Sequence, residues 1–187
     1  MKILRIIGCV GLAVATLSCS YKLGHGDIAK SHTTMHVPYV KGDETGQLTS
    51  DLVRHINTSG LFTSQNDGGA DLVLHVRMLK YHDETIGYQF DRDKDGNVLK
   101  HLKGDENRLH MLAEYYVVDA MTGKRIVDTT RIDASVDYDY DSYDQNLGTN
   151  INFSLGQLTA HDPAYDTALK PANDELARKI VNNLRAL

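Results

Sequence analysis

Cysteine and long apolar runs are both scarce in this sequence. The 187 residues include two cysteines, no tryptophan and three prolines. The longest apolar stretch, residues 6–17, has 12 residues, whereas a helix that spans a bilayer needs about 20. We therefore do not expect this stretch to remain in the membrane as a transmembrane helix.

The start of the chain is typical of a secretory signal peptide. Lys2 and Arg5 precede the apolar run, and a small residue, Ser18, ends it. A short basic segment, an apolar segment of this length and a small residue before the cut are the marks of such a signal. We predict that residues 1–18 are the signal peptide.

Cys19 is the first residue after the predicted cut, which is the position that bacterial lipoproteins modify with lipid. Cys9 lies inside the apolar run, too close to the basic start to leave a working signal before it. Lipidation of Cys19 leaves the mature chain no cysteine for disulfide or CxxC chemistry. We predict that residues 19–32 are a lipidated tether, and Ser20, where aspartate would favour inner-membrane retention, favours the outer membrane with the domain facing the periplasm.

Basic charge is also in deficit. The chain has 20 lysines and arginines against 25 acidic residues, a formal charge of −5, and loss of Lys2 and Arg5 with the signal takes it to −7. A negative overall field disfavours nucleic acid as a partner, and any anionic ligand requires a local basic patch.

The common enzyme signatures are missing as well. The sequence contains no GxSxG elbow, no HExxH and no P-loop. With Cys19 carrying lipid, no thiol is available as a nucleophile. We expect no catalysis and no cofactor.

The hydrophobic pattern predicts one α+β domain over residues 33–187. Alternation predicts strands around residues 35–39, 72–79, 107–120 and 126–140, and helical spacing predicts helices around 48–56 and 162–184. This order, βαβββα, predicts a two-layer sandwich with a four-stranded, mostly antiparallel sheet and two helices on one face.

Several local details follow from the same pattern. Pro38 predicts that the first strand is an edge strand or begins at an edge, and Thr45 and Gly60 are the expected cap and stop of the first helix. On the last strand, Ile126 is expected to face the core. Pro171 is expected to kink the last helix.

Short matches spread along the mature chain resemble the LptE family of lipopolysaccharide-assembly lipoproteins. In the first half they are Cys19-Ser20-Tyr21-Lys22-Leu23, Val37-Pro38-Tyr39-Val40, Leu48-Thr49 and Ala70-Asp71-Leu72-Val73-Leu74. In the second half they are Glu106-Asn107-Arg108-Leu109, Asp119-Ala120-Met121-Thr122-Gly123-Lys124, Tyr138-Asp139-Tyr140-Asp141 and Leu176-Ala177-Arg178-Lys179-Ile180-Val181. The resemblance lies in their order and spacing. It implies a βαβββα fold, no catalysis, a plug role inside an outer-membrane β-barrel of the LptD type, and contact with lipopolysaccharide.

Asp91, Asp93 and Asp95, followed by Gly96, copy the first half of an EF-hand calcium loop. The bidentate glutamate of the second half is missing, because Leu102 stands at its position. The pattern favours a solvated hairpin tip over a calcium site.

Two further patterns allow a site and favour ordinary structure. In the acidic run 137–144, strand alternation places Tyr138 and Tyr140 on one face and the aspartates on the other, which favours a strand leaving the core over a metal site or a partner surface. His32 and His36 suggest a zinc site, but they are four residues apart, a spacing that does not bring side chains together on a strand. Ordinary structure is therefore the favoured interpretation.

Lys124 and Arg125 are the candidate cations for lipopolysaccharide phosphates. They sit in a short turn, whereas the lysines and arginine between residues 83 and 106 share that stretch with seven acidic residues. An ordinary solvated turn is the alternative interpretation.

A rival function is a lipoprotein that activates a peptidoglycan synthase. About 13 residues separate Cys19 from the first predicted strand. At about 3.5 Å each they reach roughly 45 Å, a short span for contact with an inner-membrane enzyme. A domain that works beside its anchor fits this length better.

Overall fold

The structure, a computed structural model, describes residues 31–66, 68–92, 95–140 and 161–186. Within these ranges the side chains of residues 89, 91, 92 and 99–103 are left undescribed. The predicted signal peptide, Cys19 and most of the predicted tether lie outside the described residues. No helix in the described ranges is both long enough and apolar enough to cross a membrane.

The described residues form a mixed sheet with two helices. The elements are β1 (Thr34–His36), α1 (Gln47–Ser59), β2 (Thr63–Ser64), β3 (Leu72–Arg92), β4 (Val98–Asp119), β5 (Arg125–Asp139) and α2 (His161–Ala186). The sheet order is β2-β1-β3-β4-β5, with β1 parallel to both neighbours and the β3–β4 and β4–β5 pairs antiparallel. The predicted α+β class is confirmed, and the sheet has five strands rather than four.

The predicted edge position of β1 is wrong. β1 lies between β2 and β3, because the two-residue strand β2 pairs with its other side. Pro38 does not conflict with this, since β1 ends at His36 and the proline stands outside the ladder. β2 was not predicted, because a strand of two residues is too short to show an alternation of apolar and polar residues in the sequence.

The core lies between the sheet and the helices, as the alternation predicts. β3 and β4 contribute Leu72, Leu74, Val76, Met78, Leu109, Met111, Ala113, Tyr115 and Val117, and the helices contribute Leu48, Leu52, Ile56, Leu176, Ile180 and Leu184. α1 ends at Ser59, and the next residue, Gly60, stops the helix with a φ of 69°, which favours glycine. α2 runs without a break through Pro171.

The predicted facing of β5 fails at its first residues. Ile126 is 36% exposed, whereas Val127 is 7% exposed and belongs to the core. Between the pairs Tyr115↔Thr130 and Val117↔Val127 the register shifts, so that three steps on β5 match two on β4. An extra residue in one strand reverses which side chains face inward.

The charged stretch before residue 106 continues the strands rather than interrupting them. Pairing of β4 with β5 stops at Glu106↔Asp139, whereas β3 and β4 stay paired from Gly87↔Glu106 to Arg92↔Val98. We call this two-stranded extension, residues 87–92 of β3 and 98–106 of β4, the arm. It exposes Tyr88 and Phe90 to solvent.

Asp43 and the predicted Thr45 both accept hydrogen bonds from the first turn of α1, and Thr45 Oγ1 accepts from Gln47 N at 3.3 Å. The N-cap residue is Gly46, which has no side chain to offer. The Oδ2 atom of Asp43 accepts hydrogen bonds from the backbone N and the Oγ1 of Thr49, both at 2.8 Å. Asp43 is only 4% exposed, so its carboxylate must be satisfied by these donors.

We predict that Asp43→Ala lowers the free energy of unfolding by about 1–3 kcal/mol, because it leaves the partly buried backbone N–H of Thr49 in the first turn of α1 without its acceptor. Urea unfolding followed by circular dichroism measures the change. The matched control is Glu44→Ala, since Glu44 is exposed and the loss there should stay within about 0.5 kcal/mol. Equal losses in the two variants would contradict the role of Asp43.

Candidate anion-binding groove

The sheet face that points away from the helices carries polar side chains that alternate with the core positions. On this open face His75 of β3 is directly opposite Tyr116 of β4, and Arg77 is opposite Glu114. Directly opposed side chains of antiparallel strands contact each other. The hydrogen-bond register of β3 and β4 therefore determines which side chains are neighbours on the open face.

A groove of about 500 Å³ lies on this face and is predominantly cationic. Its charged lining consists of Lys41, Arg77, Arg125 and one carboxylate, Glu114. The local formal charge is thus +2 in a chain whose formal charge is −5. This is the local basic patch that an anionic ligand requires in an acidic protein.

Tyr116 positions Arg125 on the groove wall. The Arg125 Cζ atom is 4.4 Å from the centre of the Tyr116 ring, a cation–π contact. Nη1 of Arg125 also donates to Thr129 Oγ1 at 3.2 Å. The His75 ring stacks on Tyr116 with 4.9 Å between ring centres, so one aromatic ring orders two nitrogen-bearing side chains.

The cations of the groove differ in how they are paired. Nε of Arg77 donates to Glu114 Oε1 at 3.0 Å, so its charge is largely balanced. Within the described ranges, neither Lys41 nor Arg125 forms an ion pair with a carboxylate. Their charges remain available for a ligand.

His75 contributes a ring rather than a charge. Partial burial lowers its pKa below the ordinary value, and the nearby charges of Lys41 and His36 lower it further. At neutral pH the imidazole is therefore uncharged and suits stacking and hydrogen bonding.

The structure separates the two cations that the sequence grouped together. Arg125 lines the groove, whereas Lys124 is exposed in the β4–β5 turn and is not part of the lining. Asp119 fixes that turn by accepting hydrogen bonds from the backbone N atoms of Met121 and Thr122 at 2.9 and 2.7 Å. These bonds, with that of the Thr122 hydroxyl, lower the pKa of Asp119.

Lys41 and Arg77 were missed by the sequence reading. Arg77 alternates with the core residues of β3, so the sequence pattern predicts that its side chain points away from the core. Lys41 reaches the groove through an isolated parallel bridge to Arg77, and its backbone N donates to Val76 O at 3.2 Å. A single bridge between two distant segments leaves no periodic pattern in the sequence from which it could be predicted.

The other predicted sites lie partly outside the described residues. Cys19, the side chains of Asp91 and Asp93 and the run 141–144 are outside them, and Asp95 is exposed near the tip of the arm. Tyr138 of β5 and Tyr140, just beyond the end of β5, both pack against the core, with ring centres 6.4 Å apart. Among the described residues, no three histidine, cysteine or acidic side chains are arranged to hold a metal ion.

A second polar cluster, centred on Asp83, joins four elements on the helix side of the sheet. Asp83 Oδ2 interacts at 2.8 Å with Nδ2 of Asn107, the hydroxyl of Tyr138 and Nε2 of His161. These residues belong to β3, β4, β5 and α2 respectively. The carboxylate therefore ties the start of α2 to the sheet at the root of the arm.

The ionisation of the Asp83 cluster follows from its contacts. Burial opposes ionisation of Asp83, but the hydrogen bonds from Tyr138, His161 and Asn107 outweigh it and hold its pKa below the ordinary value. The hydrogen bond to Asp83, with a second to Asp162, raises the pKa of His161. Burial raises the pKa of Tyr138 to about 12, so the hydroxyl stays protonated and donates.

Sequence comparison finds no matching family model and no matching curated protein. The fold resembles solved structures. A candidate lipoprotein from Caulobacter crescentus is 17% identical, with 81% of this chain and 88% of that chain covered and a TM-score of 0.48. Rare lipoprotein B from Shewanella oneidensis is 16% identical, with 82% and 95% covered and a TM-score of 0.48. A PelC dodecamer from Paraburkholderia phytofirmans is 11% identical, with 87% and 94% covered and a TM-score of 0.41.

Similarities at this level establish neither a family nor a function for this chain. The fold and the groove define its class in physical terms: a two-layer α+β domain with a cationic groove on its open sheet face.

We predict that His161→Ala destabilises the protein most between pH 3.8 and 6.5, the ordinary pKa values of aspartate and histidine. Because the pKa of His161 is higher in the folded protein, its stabilisation is complete below the pKa of an unfolded histidine and is lost as pH rises through the folded pKa. Because the pKa of Asp83 is lower in the folded protein, its stabilisation is complete above the pKa of an unfolded aspartate and is lost as pH falls through the folded pKa. The loss should be about 1.5 kcal/mol, the low end for bonds to charged groups, because the His161 side chain is 43% exposed and screened.

Thermal unfolding across pH measures this difference. Asp166→Asn, on the exposed side of the same helix, is the control and should leave both Tm and its pH dependence nearly unchanged. A difference between His161→Ala and the native protein that does not vary with pH would contradict the ion pair.

Proposed function

We propose that this protein is a noncatalytic lipoprotein, anchored by lipid on Cys19 to the outer membrane and facing the periplasm, which assists lipopolysaccharide assembly beside or inside a β-barrel of the LptD type. The single observation that carries the proposal is the convergence of Lys41, Arg77 and Arg125 on one groove in an acidic chain. The residues that resemble the LptE family give the barrel partner and the ligand class.

The groove suits the phosphorylated sugar end of such a glycolipid. Lys41 and Arg125 offer charges without an acidic partner in the described ranges, and guanidinium groups match phosphate geometry. Tyr116 and Tyr39 add ring surface to the lining. Aromatic rings bury apolar area while keeping a polar group for hydrogen bonding.

The absence of enzyme motifs in the sequence supports a binding role. The Asp83 cluster has a histidine and a carboxylate in contact, but the Asp83 carboxylate and the Tyr138 hydroxyl are engaged with each other and with α2. This arrangement ties elements together, and its chemistry is that of a structural contact. We therefore assign the function to the groove.

Charge reversal in the groove should weaken binding of purified lipopolysaccharide. Because each reversal replaces an attraction by a repulsion, the double variant Lys41→Glu/Arg125→Glu should raise Kd by roughly 10- to 100-fold, about 1.4–2.7 kcal/mol. Lys170→Glu/Arg185→Glu is the matched control, since it makes the same change in net charge at exposed positions of α2 outside the groove lining.

Surface plasmon resonance on immobilised lipopolysaccharide measures these affinities, with circular dichroism confirming the fold of each variant. If the control pair weakens binding as much as the groove pair, attraction depends on overall charge and the groove assignment fails.

The partner is tested by affinity purification of the full-length lipoprotein from detergent-solubilised outer membrane, with mass spectrometric identification of stoichiometric partners. We expect a large β-barrel protein. Cys19→Ser is the control, because without lipid the protein should leave the membrane fraction and lose the barrel. A penicillin-binding synthase as the stoichiometric partner would instead support the rival activator function, and no stoichiometric partner would contradict the barrel proposal.

A further inference from the structure

Glu114 is the one carboxylate that the described residues place in the lining of the cationic groove. Nε and Nη2 of Arg77 both donate to its Oε1 atom, at 3.0 and 2.5 Å. The Glu114 side chain is 15% exposed, whereas that of Arg77 is 58% exposed. Arg131 of β5 is directly opposite Glu114 in the register, so the carboxylate lies between two basic residues on the open face.

The contact with Glu114 occupies the edge of the Arg77 guanidinium that Nε and Nη2 form. Two neighbouring N–H groups on such an edge are the arrangement that binds a phosphate group with two hydrogen bonds. A phosphate that takes this edge must displace the Glu114 carboxylate or lie beside it. Both are unfavourable, because the first breaks an ion pair and the second brings like charges together in a partly buried place.

Arg77 and Arg125 are neighbouring cationic positions along the ladder. Arg125 lies over Tyr116, and Arg77 is opposite Glu114. Glu114 and Tyr116 are two residues apart on β4, which separates them by about 7 Å along the strand. The groove therefore presents open cations next to one that a residue of the protein itself already occupies.

We propose that Glu114 determines the specificity of the groove: by keeping Arg77 occupied, it selects ligands that bring a single phosphate group and gives no advantage to ligands with two adjacent phosphates. The inference rests on the proposed function, since it concerns the same groove. It narrows the ligand class to a phosphate ester rather than a pyrophosphate.

The charge of the lining agrees with this class. Lys41, Arg77 and Arg125 against Glu114 give a formal charge of +2. A phosphate monoester carries about −1.5 to −2 at neutral pH, so one such group balances the groove. A second adjacent phosphate adds negative charge for which the lining has no further open cation. Without the Glu114 charge, Arg77 would supply that cation.

Isothermal titration calorimetry of sodium orthophosphate and sodium pyrophosphate into the full-length lipoprotein in detergent at pH 7.5 tests the proposal. For the native protein we expect the two Kd values to agree within about threefold. Glu114→Gln keeps the side-chain length and removes the charge. Pyrophosphate should then bind about tenfold more tightly, the effect of one charge-assisted contact, whereas orthophosphate should gain less than about threefold.

Arg77→Gln shows whether this gain comes from Arg77. In the native background it should change the pyrophosphate Kd by less than about twofold, because Glu114 already occupies the guanidinium, and in the Glu114→Gln background it should remove the tenfold gain. This dependence on background separates freeing of Arg77 from a general change in charge.

Asp166→Asn is the matched control, because it removes one negative charge at an exposed position of α2, on the other side of the sheet. It should leave both Kd values unchanged, and circular dichroism checks the fold of each variant.

Three results would overturn the role of Glu114: a native preference for pyrophosphate of about tenfold or more, an equal gain for both anions in Glu114→Gln, or a gain that survives Arg77→Gln. The groove itself is judged separately. Orthophosphate binding that Lys41→Glu/Arg125→Glu abolishes supports the groove whatever the pyrophosphate result, and absence of orthophosphate binding to the native protein overturns both assignments.

Discussion

The antiparallel ladder between β3 and β4 is the constraint on which the rest of the structure depends. It runs from Leu72↔Asp119 to Arg92↔Val98, longer than any other pairing in the described residues. One of its faces supplies most of the sheet side of the core, and the other presents His75, Arg77, Glu114 and Tyr116. Because side chains alternate strictly along a strand, core and groove are fixed by the same register. A change that disturbs one therefore disturbs the other.

The local charge of the groove differs in sign from the net charge of the whole protein. Acidic residues exceed basic ones, yet the groove gathers three cations and one carboxylate. The acids are used elsewhere as local acceptors: Asp43 at the start of α1, Asp83 at the root of the arm and Asp119 in the β4–β5 turn. Each accepts hydrogen bonds at short range, where local geometry matters more than the overall field.

The sequence predicted the elements with regular periodicity and missed the points where periodicity breaks. The inward residues of β4 could be predicted because Leu109, Met111, Ala113, Tyr115 and Val117 recur at every second position. Ile126 was assigned to the wrong face because a bulge shifts β5 against β4. In the site, Arg125 was predicted as a cation, but its grouping with Lys41 depends on one bridge between distant segments. The facing of β3 beyond Met78 could not be predicted either, because Leu79 is an extra residue between the pairs Met78↔Ala113 and Lys80↔Leu112.

That extra residue in β3 bears on how the length of the protein can vary among related sequences. Before Leu79 the even-numbered residues of β3 lie on the helix side of the sheet, and after it the odd-numbered Tyr81 and Asp83 do, opposite Met111 and Leu109. Removing one residue there would turn every later side chain of β3 to the opposite face. In the arm, by contrast, paired insertions or deletions of two residues in each strand preserve all facings. Natural variation should therefore lengthen or shorten the arm in even steps while leaving the length between Leu72 and Asp83 constant.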